Sequence, residues 1–583
     1  MAKTAKYKLK SPRPTLSLCM IVKNEEQFLG QCLDSVRDIV DEMIIVDTGS
    51  TDSTVEIAGR YGAQIFHHPW QGSFSEARNY GLQYATGDWI LQMDADEELE
   101  KADIPILKKV LRSDLYDAIF VALLNDSPEG WAKHYFQRIF RRGKAHYEGI
   151  VHNQLAYKGA DLRTEVRIYH WGYNLCEEKM AAKMRRTEEL LLKQLAEDET
   201  NPFSYVNYLR VLRAQKRYDE AVQTGEKALE ICRQRMTEIH RQMIFYDTAY
   251  SALHAGQEEK AEQLCREILK EFPENIDILF TVATVLISQK KYRQAIETFH
   301  RFLDIQQKLK IKPQHTRLII DTYNFDHKAW GHISDCHYEL QEYDKSLKAA
   351  EKAVAARKTP PTYQVTLARV LLKLNRVDEA RKELTEVERA EQTNVLFYLK
   401  WAALCKRNPE LGDEMAQIEL GLKRFPHSEE LLNYRAYALQ NENPQEAEKV
   451  WRNVIGINPD HVGAYVGLAK IAAKNRHLQD LENYVEAILN KADSPPVFKE
   501  VGGYCLHARL YRQAIDLFSK YLAKKPDDVE VLTDVATCYA KQGHIEAAMY
   551  GFQAVLGIAP ENGRARDNLA KVIIVLQRKR AVV

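Results

Sequence analysis

Two hydrophobic periodicities divide the chain. Up to about residue 180, short continuous apolar runs alternate with amphipathic stretches. Residues 16–22 (Leu-Ser-Leu-Cys-Met-Ile-Val) read as a buried strand. Residues 24–40 read as a helix with Phe28, Leu29, Cys32, Leu33 and Val36 on one face, and 43–47 as a second strand. A second helix is predicted at 52–61, started by Ser50, Thr51 or Asp52 as its cap. A strand at 64–66, a helix at 74–84 and a strand at 89–93 continue the alternation. Continuous apolar strands in strand-helix order predict an α/β domain with a mostly parallel sheet covered by helices.

Beyond residue 180 the strand signal disappears and helical pairs recur. A marker position opens each second helix at Ala221, Ala261, Ala295, Ser346, Ala380, Glu414, Ala447, Leu481, Ala514 and Ala548. From Ser346 onward the spacing is 33 or 34 residues. Proline follows twelve residues later at Pro273, Pro459, Pro526 and Pro560, and an aromatic at the fourth position at Phe299, Phe518 and Phe552. This resembles the tetratricopeptide repeat, whose period is about 34 residues. About ten repeats make an all-α solenoid, with Glu414 and Leu481 marking degenerate copies. Steps of 40 residues before Ala261 and 51 before Ser346 predict insertions, the larger at 308–325 as a longer helix pair or a protruding loop. A terminal helix at 562–578 is expected to cap the last apolar face. The implied division is a disordered basic tail at 1–13, an α/β domain at 14–180 and a repeat array at 181–583.

Bulk composition narrows the function classes. The 583 residues carry a formal net charge of zero and 45% hydrophobic residues, ordinary for a soluble globular protein and unlike a dedicated nucleic-acid binder. No apolar run approaches a membrane span, and no apolar segment follows the lysines of the N-terminus as a secretory signal would require. The nine cysteines are scattered without a C-x-x-C pair, which reads as reduced thiols in a cytoplasmic protein.

Candidate chemistry lies at the strand ends, where an open parallel sheet binds ligands. The first strand runs into Val22-Lys23-Asn24-Glu25-Glu26, the second into Asp47-Thr48-Gly49-Ser50-Thr51-Asp52, and the fourth into Asp94-Ala95-Asp96-Glu97. Two carboxylates at i and i+2 suit one hard divalent cation, which favours oxygen ligands and can bridge a diphosphate. In a chain with 82 acidic residues such a pair also arises by chance in a solvated loop. Arg78, in the helix before it, offers a guanidinium fork to a phosphate or is a surface charge.

Together, Met20–Glu26 (MIVKNEE), Ile44–Asp52 (IIVDTGSTD), Ala77–Gly81 (ARNYG) and Gly87–Leu99 (GDWILQMDADEEL) resemble the family-2 glycosyltransferases of the A-type nucleotide-sugar fold. The later segments 137–142 (QRIFRR), 147–155 (YEGIVHNQL) and 167–173 (RIYHWGY) resemble the subgroup in which the catalytic domain runs into tetratricopeptide repeats. That subgroup includes peptide S-glycosyltransferases. The resemblance implies donor contacts from Val22, Asn24, Glu26, Asp47, Thr48, Gly49, Arg78, Asp94 and Ala95, with Asp47 near the uridine. It implies Mn2+ or Mg2+ on Asp96 and Asp94. Relatives often carry a second aspartate where this chain has Thr48, and an acid where it has Asn153. Without that acid, Glu148, Glu97 and Asp126 are the candidate general bases, in that order. His152 and His170 are candidate further metal ligands, because imidazole suits Mn2+, or hydrogen-bonded structural histidines.

The expected activity is a metal-dependent, inverting transfer of a sugar from a UDP-sugar to a protein or peptide acceptor recruited by the repeats. Tyr205, Tyr208, Arg210, Tyr246, Tyr250 and Trp330 would line an acceptor groove, although singly such aromatics are usually repeat core. Self-assembly through the repeats is a further possibility. Two other readings stand beside it: a transferase of envelope or lipid-linked glycans, and a non-catalytic scaffold built on a vestigial transferase domain.

Overall fold

The structure, a computed structural model, describes residues 13–125, 132–149, 154–171, 177–311, 320–356, 361–390 and 393–580. Its first part contains β1 (Leu16–Val22), α1 (Leu29–Val36), β2 (Glu42–Asp47), α2 (Thr54–Arg60), β3 (Gln64–His67), α3 (Phe74–Leu82) and β4 (Trp89–Gln92). Then follow β5 (Glu97–Leu99), α4 (Ile104–Val110), β6 (Ala118–Asn125), β7 (Ala132–Arg141), β8 (Ala145–Glu148), β9 (Gln154–Tyr157) and β10 (Asp161–His170). Eight strands form one sheet in the order β3-β2-β1-β4-β7-β6-β10-β5, and β8 pairs with β9 separately.

The strands β1 to β4 run parallel, as their continuous apolar runs predict. Beyond β4 the sheet becomes mixed. Strand β7 lies antiparallel between β4 and β6, and β5 lies antiparallel on β10. Strand β10 alternates, with Thr164, Val166 and Ile168 buried between more exposed neighbours, which is the pattern of a one-sided strand. One face of the sheet packs Leu18, Met20, Ile45, Leu91 and Ile168 against Leu29, Leu33 and Val36 of α1. The other gathers Cys19, Ile44, Ile90 and Phe140.

Helix α1 starts at Leu29, not at residue 24 as its apolar pattern suggests. Asn24 sits at φ 57°, a left-handed conformation that no helix continues. Its neighbours are laced to the β2–α2 loop instead. Asn24 Oδ1 accepts from the Thr51 amide at 2.7 Å, the Glu25 amide donates to Thr54 Oγ1 at 2.7 Å, and Glu26 accepts from the Ser53 amide at 3.1 Å.

By contact the chain forms two compact units, 1–342 and 343–583. The first also contains α5 (Glu177–Glu197), α6 (Pro202–Ala214), α7 (Tyr218–Ile231), α8 (Glu238–His254), α9 (Glu258–Glu271), α10 (Ile276–Ser288), α11 (Tyr292–Ile311) and α12 (Asp326–Glu339). Phe74 of α3 packs against the core of α5, α6 and α7, which ties the sheet domain to the first repeats. The insertion before Ser346 includes a long α11, and its Gln306 donates to the Tyr323 carbonyl at 2.7 Å, in the turn before α12.

The second unit runs in helix pairs from Tyr343–Ala356 to the terminal helix Gly563–Arg580. Its small residues make room for large ones: a Cβ on Gly467 would fall 2.3 Å from the Trp451 ring, and one on Gly502 2.5 Å from Phe518. The expected marker at Glu414 is corrected. Glu414 is the first residue of its helix, capped by Asp413, because a 3-10 turn at Pro409–Leu411 displaces the helix start. The buried packing positions there are Ile418 and Gly421. Eight cysteines are buried free thiols, and Cys176 lies outside the described residues.

Candidate active site

The carboxyl ends of β1, β2, β4, β6 and β10 share one edge of the sheet, as the pairing directions require. At the end of β2, Asp47 is 5% exposed. Its Oδ1 accepts the Ser50 amide at 3.0 Å, and its Oδ2 lies 3.2 Å from His67 Nδ1 at the end of β3. Burial works against its charge, but the Ser50 and His67 hydrogen bonds prevail and hold Asp47 below the usual carboxylate range. Gly49 has φ 111°, which the loop needs to turn this tightly. Thr48 Oγ1 donates to the Val22 carbonyl at 3.1 Å, so Val22, Thr48, Asn24 and Glu26 all brace the two loops around Asp47.

At the end of β4 the D-x-D pair divides its duties. Arg78 Nη2 of α3 donates to Asp94 Oδ1 at 2.6 Å, and Arg138 Nη2 of β7 lies 3.2 Å from Asp94 Oδ2. The same Arg138 guanidinium hydrogen-bonds Gln92 Oε1 and Glu97 Oε1. Glu97 is 1% exposed, and its other oxygen accepts the Asp94 amide at 3.0 Å. The Tyr147 ring lies 5.3 Å from the Arg78 guanidinium, and Asn79 clamps the Tyr147 backbone with two 2.8 Å bonds.

Asp96 points elsewhere. Its Oδ2 is 3.3 Å from His170 Nε2, while His170 Nδ1 is 2.9 Å from Asn125 Oδ1 at the end of β6. The Asp96 carbonyl accepts the Trp171 amide at 2.9 Å, and Glu98 takes the Trp171 indole at 3.2 Å. Ala95 between the two carboxylates is buried in the core.

The electrostatics follow this wiring. Burial alone would raise Asp94, but Arg78 and then Arg138 overcome it and hold Asp94 well below the carboxylate range. Burial pushes Glu97 up to about 7; Arg138 opposes this, and the Asp94 charge adds to it. Tyr147 is pushed up to about 12 by burial. Burial lowers His170, yet the Asp96 carboxylate wins and raises it above the usual histidine range.

The candidate bases separate. Glu148 at the end of β8 is exposed, with Oε1 2.9 Å from His146 Nε2. Glu97 is sealed in with both oxygens engaged, so it acts as a brace for Asp94 and Arg138, not as a base in contact with an acceptor. Asp126, His152 and Asn153 lie outside the described residues. Of the expected groove residues, Tyr205, Tyr208 and Tyr246 are buried in repeat cores. Among the described residues no group of three or more histidine, cysteine, aspartate or glutamate side chains is gathered around one point.

Arg138, Gln92 and Asn125 carry roles that patterning did not reveal. Arg138 lay within the recognised 137–142 segment, and Gln92 is a polar residue in an otherwise apolar strand. A buried polar residue in such a run is the one local signal that a partner exists.

A family model described as glycosyl transferase family 2 matches residues 17–169. Models of the tetratricopeptide repeat match 204–235, 252–311, 327–360 and 506–572. A TPR repeat-containing protein of Synechococcus elongatus is 36% identical over 31% of this chain and 49% of its own length. The SPbeta prophage-derived glycosyltransferase SunS of Bacillus subtilis is 31% identical over 38% of this chain and 54% of its own. An uncharacterized glycosyltransferase of Rickettsia felis is 43% identical over 15% of this chain and 30% of its own. The chain thus spans about half the length, or less, of the curated relatives it matches. It carries a family-2 glycosyltransferase domain joined to tetratricopeptide repeats.

Proposed function

We propose that the protein transfers a sugar from a UDP-sugar to a protein or peptide acceptor, with residues 14–180 performing the chemistry and 181–583 recruiting the acceptor. The observation that carries this reading is Asp94 held ionised by Arg78 and Arg138, two residues from an Asp96–His170 pair on the same sheet edge as Asp47. Asp47 would receive the base, and the two arginines would meet the charge that develops on the diphosphate. Fixed charges aimed at a developing anion are usually the largest catalytic term.

Asp96 and His170 would hold a divalent cation, for which His170 must give up the proton that faces Asp96. Asp96 Oδ2 and His170 Nε2 converge at 3.3 Å, and the Asn125 contact to Nδ1 orients the imidazole. A cation of this kind takes few protein ligands and completes its shell from substrate phosphates. Asp94 would join only by giving up part of its hold on an arginine. Bound there, Mn2+ or Mg2+ would supply Lewis-acid stabilisation of the leaving diphosphate.

In the transfer, an acceptor hydroxyl or thiol forms a bond to the anomeric carbon as the bond from that carbon to the diphosphate oxygen breaks. The electron pair leaves with UDP, and the configuration inverts. Glu148, exposed and next to Tyr147, would take the acceptor proton. Purified protein incubated with UDP-glucose or UDP-N-acetylglucosamine and Mn2+ is expected to release UDP. Release unchanged by Asp96→Ala would overturn the assignment. Among the described residues no helix is long and apolar enough to cross a membrane.

A further inference from the structure

Beside Tyr147 a cleft of about 710 Å³ opens between α3, the end of β8, α5 and the start of α6. Its size falls in the range of ligand sites, about 300–1,000 Å³. Its walls carry Glu76, Glu148, Glu197 and Asp198, with Tyr80 and Tyr147, and among the described residues no lysine or arginine lines it. Such a lining repels a nucleotide diphosphate, so this is not the donor's place.

Two further atoms point to what it takes. Ser75 and Gln194 also line the cleft and are 5% and 9% exposed. Ser75 Oγ and Gln194 Oε1 make no hydrogen bond among the described residues. Buried polar atoms are normally satisfied, so these two oxygens among the lining residues are acceptors left for a donor. The side chains that offer only N–H donors and a positive charge are lysine and arginine. The charge in the cleft is not cancelled from within. Asp198 is paired with Arg235 at 2.7 Å, whereas Glu76 and Glu148 meet the imidazoles of His68 and His146.

We propose that this cleft seats a lysine- or arginine-bearing stretch of the polypeptide acceptor, which then runs past Glu148 toward the reacting edge. This rests on the transferase reading above, and it adds a sequence preference: a basic residue flanking the modified one. Glu148, at the cleft's rim, is where the bound segment and the proton acceptor meet.

The test uses the full chain, a fluorescein-labelled pentalysine peptide and fluorescence anisotropy at low salt. Glu197→Lys reverses an exposed charge in the cleft. Glu546→Lys makes the same change of net charge at an exposed position of the second unit. The expected result is peptide binding by the wild type, about tenfold weaker binding by Glu197→Lys and unchanged binding by Glu546→Lys. Absent wild-type binding, or equal loss in both variants, would overturn the proposal. UDP release without acceptor is measured alongside and is expected to be equal in all three proteins. Its absence throughout would refute the transferase reading, while the anisotropy result judges the cleft.

Discussion

Two buried arginine–carboxylate networks in the first unit use the same residue types and end in opposite electrostatic states. At the sheet edge, Arg78 and Arg138 each reach one oxygen of Asp94, and its charge is held. In the repeats, Arg213 of α6 binds Asp247 Oδ1 of α8, while among the described residues Asp247 Oδ2 has only Arg210 at 3.8 Å. Asp247 is fully buried, and there burial wins and pushes its pKa up. Asp321, in the turn before α12, adds to both arginines at 3.5 and 3.7 Å. The Asp277 carboxylate of α10 anchors that turn through the Thr322 amide at 2.8 Å and hydroxyl at 2.7 Å. The first network keeps its charge at the sheet edge that also carries Asp47 and Asp96. The second spends its polarity on stapling α6, α8 and α10 to an insertion, which specifies packing more than it stabilises it.

The contrast predicts that damage to the first network removes activity out of proportion to stability, and damage to the second does the reverse. The largest effect is expected for Asp96→Ala, which should lower UDP release by about 10²-fold or more while leaving the thermal midpoint near the wild type. Arg138→Met should cost about 3–5 kcal/mol, because it takes from the buried Glu97 and Asp94 the guanidinium that both share. Adding Glu97→Gln should recover much of that stability in urea unfolding, without recovering turnover. A double variant as unstable as the single one would show that Arg138 acts through packing alone.

Arg213→Met should cost about 3 kcal/mol and leave the turnover of the surviving folded protein unchanged. A matched fall in turnover would erase the distinction between the networks. The smallest effect is a pH slope. Burial, and then the Asp321 charge, push Asp277 from 3.8 up to about 7. A carboxyl raised on folding adds stability below its unfolded value and loses it as pH rises through the folded one. Wild-type stability should therefore fall between about pH 4 and about pH 7 relative to Asp277→Asn, by at most about 1.4 kcal/mol per pH unit. Asparagine keeps the oxygen that accepts from Thr322, so equal urea midpoints across that window would refute the assignment.

Much of the architecture was legible from patterning. The four parallel strands, the repeat period and the strand-end positions of Asp47 and Asp94 follow from local apolar runs and from spacing. The antiparallel β7 was not legible, because Lys133, His134, Gln137 and Arg138 are mixed with Tyr135, Phe136, Ile139 and Phe140 in no regular alternation, and its partners β4 and β6 flank it only after folding. The start of α1 was misplaced for a related reason. The apolar face begins near Phe28, but the preceding residues are bonded to a loop more than 25 positions away.

The candidate site shows the same division. Local order along the chain determined that two carboxylates sit at the end of a buried strand, that an arginine lies on the helix before it, and that a repeat array follows. Only the tertiary structure decided that Asp94 and Asp96 face different partners, that Arg138 joins Gln92, Asp94 and Glu97, and that Glu97 is sealed while Glu148 is open. The reason is physical. Periodicity encodes which face of an element is buried, whereas the charge on a carboxylate depends on what stands within a few ångströms of it, and those neighbours come from 16 and 44 positions away.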